Sequence, residues 1–182
     1  TACVVGLDLD HGNLRTAKFK TDEVLGSDEA TTWVRSDACN LPFPASTFDC
    51  VLLSEVLEHL PDVDGAFVEI QRVLRPEGQL AISVPRFYPE WICWRLSHEY
   101  HSVPGGHLRI FTEGEVIAHA RAYGFVVRAR HWAHALHTPY WWLQCALWSC
   151  RTSSRVLRLY HRFLVWDLMR RPRVPRLLER LL

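Results

Sequence analysis

Apolar positions fall in two kinds of pattern along the chain. The run at 2–9 (ACVVGLDL), the stretch Phe48–Leu53 broken only by Asp49, and the stretch Gln79–Val84 have the length of strands. The near-continuous apolar character of the last two predicts burial on both faces, as in a parallel sheet. Between the last two, Phe67, Ile70, Val73 and Leu74 recur at helical spacing, with Asp62 or Asp64 as a cap and Gly78 closing the segment. Strand, helix and strand joined by short connections make a right-handed crossover. Sheets of this kind hold their ligands at the carboxyl ends of the strands.

The same patterns carry the rest of the chain. A helix bearing Leu14, Ala17 and Lys18 follows Asp8 and Asp10, polar residues 22–31 end it, and Thr32–Ser36 is a short strand. After Pro85 the chain is rich in aromatic residues and histidine, with a helix expected over Pro89–His98 and a Pro-Gly-Gly turn. Thr112 and Glu115 have the spacing of a capping box, Val116, Ile117 and Ala120 mark the helix, Gly124 ends it, and Phe125–Ala129 reads as a further strand. Pro139–Cys150 and Arg155–Met169 are apolar helices studded with Trp and Arg.

Charge adds one asymmetry. The 182 residues sum to +1, but residues 151–182 carry nine Arg against Asp167 and Glu179. Apolar residues interleave with that basic run, which argues against nucleic acid as the partner. Six cysteines without a CxxC pair suit reduced, packed thiols in a cytoplasmic protein. No apolar run approaches the roughly 20 residues needed to cross a bilayer.

Four segments carry a resemblance: 37–43 (DACNLPF), 47–49 (TFD), 54–59 (SEVLEH) and 72–78 (RVLRPEG). In this order and spacing they are similar to the class I methyltransferases that use S-adenosylmethionine, nearest the branch of ubiquinone and menaquinone biosynthesis. Val5-Gly6-Leu7-Asp8 and Gly124-Phe125 extend the likeness over roughly residues 3–131, and Thr47 stands where serine is more usual. The resemblance implies an α/β fold, a Rossmann-like and mostly parallel methyltransferase sheet. Residues 1–131 would form a partial S-adenosylmethionine-binding domain and 132–182 a helical C-terminal extension. In the family a strand and its Gly-rich loop come before the strand at Cys3–Asp8. Nothing here matches them, so the first strand is expected to be missing and the chain to be a fragment. A closing seventh strand is likewise not found.

The resemblance also assigns roles. Asp8 would accept from both ribose hydroxyls, with Leu9 beside the adenine face. Asp37 would accept from the adenine amine while Ala38 offers its backbone N–H. Ser54 and Glu55 would face the reactive end of the cofactor. His107, ahead of Leu108–Thr112, resembles a feature at the rim of the acceptor pocket. The residues themselves leave plainer readings open. Asp8 or Asp10 can cap a helix, and Asp37 can bond its own turn, although two prolines in LPFP stiffen the loop behind it. Glu55, Glu58 and His59 have the spacing of a solvated helix face, and His59 is a packing histidine or a base.

A metal set of His98, Glu99, His101 and His107 fits no common zinc spacing, so no metal is expected. His131, His134 and His137 suit a surface ridge as well as a ligand set. The resulting expectation is methyl transfer from S-adenosylmethionine to a small, apolar, lipid-like acceptor, with His59 or His107 as base. A nicotinamide-dependent oxidoreductase and a non-catalytic adenosyl-binding or scaffold protein are the rivals. The Trp- and Arg-rich helices over 139–170 stay open between an acceptor lid, a peripheral membrane contact, and an ordinary cap on the sheet or dimer face. The acceptor and the oligomeric state are not legible.

Overall fold

The structure is a computed structural model that describes residues 3–26, 31–103, 105–132 and 136–169. His134, Arg170 and the basic residues beyond it lie outside the described residues. The chain divides into two compact units, 1–52 with 62–81, and 53–61 with 82–182.

The first unit opens with a βαβ element. Strand β1 (Val4–Asp8), helix α1 (His11–Leu25) and strand β2 (Thr31–Arg35) follow one another. The strands pair in parallel from Val4↔Thr31 to Asp8↔Arg35. Gly6 faces Trp33 across this pair, and a Cβ there would lie 2.3 Å from the indole ring. Only a residue without a side chain lets the indole cover the strand. Helix α2 (Val63–Val73) starts at Asp62, whose carboxylate accepts from Gly65 N at 2.8 Å. Its expected apolar face is the core of the unit, with Val63, Ala66, Phe67, Ile70, Val73 and the adjoining Leu74 all buried. Each of the larger side chains contributes about 1.5–3 kcal/mol by burial.

A second pair of strands joins β3 (Phe48–Ser54) to β4 (Leu74–Ser83). Thr47 N donates to Val73 O at one end and Glu55 N to Ser83 O at the other, so the two strands run the same way. Over that ladder β4 uses two residues more than β3. The excess coincides with Pro76, which has no N–H to pair, and Glu77, whose φ is 65°. The strand therefore begins at Leu74 and contains a bulge where the sequence pattern suggested a turn up to Gly78.

Three further expectations are corrected. Neither β3 nor β4 is buried on both faces; burial alternates, and Leu52 is 69% exposed. Each sheet is two-stranded among the described residues, which leaves strand edges unpaired. Residues 125–129 form no strand, because no strand among the described residues offers them a ladder. The helix expected over Pro89–His98 runs instead over Phe87–Leu96.

The second unit is mainly helical: α3 (Phe87–Leu96), α4 (His98–Ser102), α5 (Glu113–Ala122), α6 (His137–Ala146) and α7 (Arg155–Met169). The capping box of Thr112 and Glu115 opens α5. Helices α3 and α6 meet through the buried thiols of Cys93 and Cys145, and Trp142 Nε1 donates to Pro89 O at 3.0 Å. Tyr160 OH donates to Leu136 O at 3.0 Å while Leu157 and Leu164 bury the inner side of α7. All six cysteines are unbridged. No helix among the described residues is long and apolar enough to cross a membrane.

Candidate functional site

The first constellation lies at the carboxyl ends of β1 and β2. Ser36 N donates to Asp8 O at 3.2 Å, which ties the tip of β1 to the loop after β2. Asp8 Oδ1 accepts from Asp10 N at 2.7 Å and Oδ2 from Asn13 Nδ2 at 3.2 Å. Asp10 Oδ1 accepts from Asn13 N at 2.9 Å, so Asp10 is the residue that caps α1. Asp8 is thus held by neutral donors rather than by a cation, and an ionised carboxylate with four lone-pair sites keeps capacity for further donors. Leu9 beside it is 65% exposed, and its carbonyl accepts from Arg35 Nε at 2.9 Å.

Asp37 lies two residues beyond the end of β2. One of its oxygens accepts from Cys39 N at 2.9 Å, an Asx turn that the sequence left open, and Asp37 also bridges Asn40. Ala38 is half-buried inside that turn. Neither Asp8 nor Asp37 is in an ion pair among the described residues. The loop behind is stiffened by more than its prolines. Arg72 on α2 donates from Nη1 to Phe43 O at 2.6 Å and from Nη2 to Leu41 O at 2.9 Å, and Glu69 accepts from Leu41 N at 2.7 Å. Glu69 and Arg72 are themselves paired at 2.7 Å, and the Arg72 hydrogen bond holds the Glu69 carboxyl down at about 2. This clamp was not anticipated from the sequence, although Glu69 and Arg72 have i, i+3 spacing.

The second constellation belongs to the second unit. Strand β3 ends at Ser54, and Glu55 takes a φ of 54°, a left-handed conformation uncommon outside glycine. Ser83 Oγ donates to Glu55 Oε1 at 2.8 Å and lies 3.3 Å from Ser54 Oγ. A single 3-10 turn, Leu57–His59, follows. The helix-face reading fails here: Glu58 points inward and is 1% exposed. Leu108 N donates to Glu58 O at 2.9 Å, laying the segment after Gly106 against the turn. Burial pushes the Glu58 carboxyl up to about 7. Neither of its oxygens has a hydrogen-bond partner among the described residues.

His59 and His107 meet edge to face, ring centroids 4.8 Å apart. The Nδ1 of His59 lies 3.3 Å from Gly106 O. The Nδ1 of His107 lies 2.5 Å from Glu90 Oε1, and Glu90, 5% exposed, also accepts from Trp94 Nε1 at 3.0 Å and Tyr100 OH at 3.2 Å. Burial pulls the His107 imidazolium down, but the hydrogen bond and charge of Glu90 outweigh it, so the net shift is upward. Burial together with Glu90 pushes the Tyr100 phenol up. Glu90 was missed by the sequence reading. Its signal was a lone carboxylate inside the aromatic stretch 87–94.

Residues 2–82 match the family described as methyltransferase domain. A sterol 24-C-methyltransferase from Eremothecium gossypii is 32% identical over 111 residues, 60% of this chain and 27% of that protein. A ubiquinone/menaquinone biosynthesis C-methyltransferase from Pasteurella multocida is 37% identical over 79 residues, 43% of this chain and 29% of that protein. The matched stretch thus spans under a third of the length of these curated relatives. Among solved structures, a putative methyltransferase from Bacillus halodurans superimposes with a TM-score of 0.64 at 18% identity, over 79% of this chain and 62% of that one, a likeness of fold. Over residues 2–82 the chain is similar to the methyltransferase domain family, and its parallel strands have the Rossmann-like arrangement of the Bacillus halodurans structure.

Proposed function

We propose that the protein transfers the sulfonium methyl of S-adenosylmethionine to a small, apolar, lipid-like acceptor. Residues 1–131 would serve as the cofactor-binding part and 132–182 as a helical extension. The observation that carries this reading is Asp8: a carboxylate at the tip of a parallel strand, oriented by two neutral donors and outside any ion pair. Asp8 would accept from the ribose hydroxyls, with Leu9 against the adenine. Asp37 Oδ2 and the Ala38 N–H would meet the adenine edge from a loop that Arg72 keeps in place. Ser54 and Glu55 would line the reactive end. The cofactor, when bound, supplies the activated methyl. The chain's own part is to align donor and acceptor and to exclude water.

An acceptor with an acidic oxygen or carbon must also lose a proton. His107 suits that role: Glu90 takes its Nδ1–H, which leaves the Nε2 lone pair available and more basic. His59, with Nδ1 on Gly106 O, is the second candidate. Sterols and quinones in the names of the relatives support an apolar acceptor.

Calorimetric titration of the full-length protein with S-adenosylhomocysteine tests the reading. Wild type should bind one equivalent, and Asp8→Ala should bind about tenfold or more weakly, the worth of a charge-assisted hydrogen bond. No binding by wild type would favour a scaffold.

A second reading concerns α7. Val156, Leu159, Phe163 and Trp166 are all exposed, and at 3.6 residues per turn they fall within roughly 80° of the helix. Arg155, Arg158 and Arg162, also exposed, form the adjoining ridge. An apolar stripe with aromatic rings beside a row of Arg suits an anionic membrane surface, where the acceptor would reside.

A further inference from the structure

A buried carboxylate with both oxygens unpartnered needs an explanation, because leaving such a group unsatisfied is costly. Glu58 is that group. Protonation alone does not answer it: a carboxylic acid would still need an acceptor for its O–H, and none is in place among the described residues. Two imidazoles stand beside it. Glu58, His59 and His107 each offer one ligand atom, and the three atoms lie within 4.8 Å of one another.

The way the histidines are anchored points to what fills the space. His59 sets Nδ1 against a backbone carbonyl, and His107 sets Nδ1 against the Glu90 carboxylate, which Trp94 and Tyr100 hold in turn. Each ring therefore has its Nε2 left over. Metal-bound histidines are anchored in this way, through the nitrogen that does not bind, by a carbonyl or a carboxylate. Gly106 supports the arrangement, since a Cβ there would lie 2.7 Å from His101 O and displace the carbonyl that holds His59.

We propose that Glu58, His59 and His107 bind a divalent first-row transition-metal ion through one carboxylate oxygen and two imidazole nitrogens. Two nitrogens and one oxygen suit Zn2+ and its neighbours, whereas Mg2+ and Ca2+ favour all-oxygen sites. Metal–ligand bonds of about 2.0–2.2 Å in a tetrahedral site put ligand atoms roughly 3.3 Å apart, so small side-chain rotations close the site. Three protein ligands leave a position open, where the ion can hold an oxygen of the methyl acceptor and lower its pKa. That use rests on the methyl-transfer reading, and the binding of the ion does not. With the ion present, His59 and His107 are ligands rather than bases; the ion lowers the pKa of the acceptor oxygen and its proton passes to solvent.

The test uses the full chain stripped with a chelator, titrated calorimetrically with ZnCl2 and MgCl2 and followed by visible absorption with CoCl2. The site should take one equivalent of Zn2+, give the d–d bands of a low-coordinate Co2+ site, and ignore Mg2+. Glu58→Gln and His107→Ala should each abolish the Co2+ bands, and Glu90→Gln should weaken Zn2+ about 10- to 100-fold. Circular dichroism shows whether each variant is folded. If one variant unfolds, the other two carry the result. Failure of wild type to bind one equivalent, or unchanged binding by the folded variants, overturns the proposal. S-adenosylhomocysteine titrated in parallel separates the two readings. Cofactor binding without metal binding removes only the metal site, and metal binding without cofactor binding removes only methyl transfer.

Discussion

The carboxylate of Glu90 lies 2.5 Å from Nδ1 of His107, with Glu90 buried and His107 half-buried. It joins a residue in the middle of a helix to one in the following loop, 17 positions on. Its consequence is a histidine that keeps affinity for a proton in surroundings that would otherwise strip it.

Glu90→Gln keeps the size of the side chain and removes the charge. Burial of His107 is then opposed only by the charges of Glu58 and Glu55, so its pKa should fall from its raised position. Proton NMR of the imidazole ring in chelated protein reads that change directly. An unmoved titration would mean that Glu90 is not what sustains the His107 cation.

The Glu69–Arg72 pair predicts behaviour in acid. With a folded pKa near 2 against about 4.5 for a free carboxyl, Glu69 stabilises the protein above pH 4.5, and its contribution drains away as pH falls from there toward 2. Glu69→Gln should melt earlier than wild type at pH 7, with the gap narrowing across that interval. Thermal melts followed by circular dichroism at several pH values check it. A constant gap would show that the clamp acts by shape rather than by charge.

Gly6 and Trp33 make a packing prediction. Gly6→Ala drives a methyl into the indole and should cost about 1–3 kcal/mol. Shortening the ring in Gly6→Ala/Trp33→Leu should recover part of that loss. Urea denaturation of the two variants measures it, and strictly additive losses would mean that the two residues are not in conflict.

The α7 ridge predicts membrane behaviour. Wild type should float with anionic vesicles, and an Arg155→Glu/Arg158→Glu/Arg162→Glu variant should not, since each basic side chain near such a surface is worth about 1 kcal/mol. Raising the salt concentration should weaken the wild-type interaction. Equal flotation of both proteins would remove the membrane reading.

What could be read from the chain alone follows from how local each feature is. The face of α2, the Asp62 cap, the Thr112 and Glu115 capping box and the parallel pairing of β1 with β2 depend on residues a few positions apart or on a short crossover, so periodicity exposes them. The motifs 37–43, 54–59 and 72–78 were legible for the same reason, and with them the likeness to the family. Features set by partners distant in sequence were not legible. Strand burial depends on what covers each face, so Leu52 looked internal and is exposed, and 125–129 looked like a strand but has no strand among the described residues to pair with. Glu58 had the spacing of a solvated helix until a single 3-10 turn and the segment at Leu108 enclosed it. The metal question shows the difference most clearly. Sequence spacing offered His98, Glu99, His101 and His107, whereas the fold assembles Glu58, His59 and His107 across 49 positions, because a ligand set is defined by distance in space and the chain records only distance along itself.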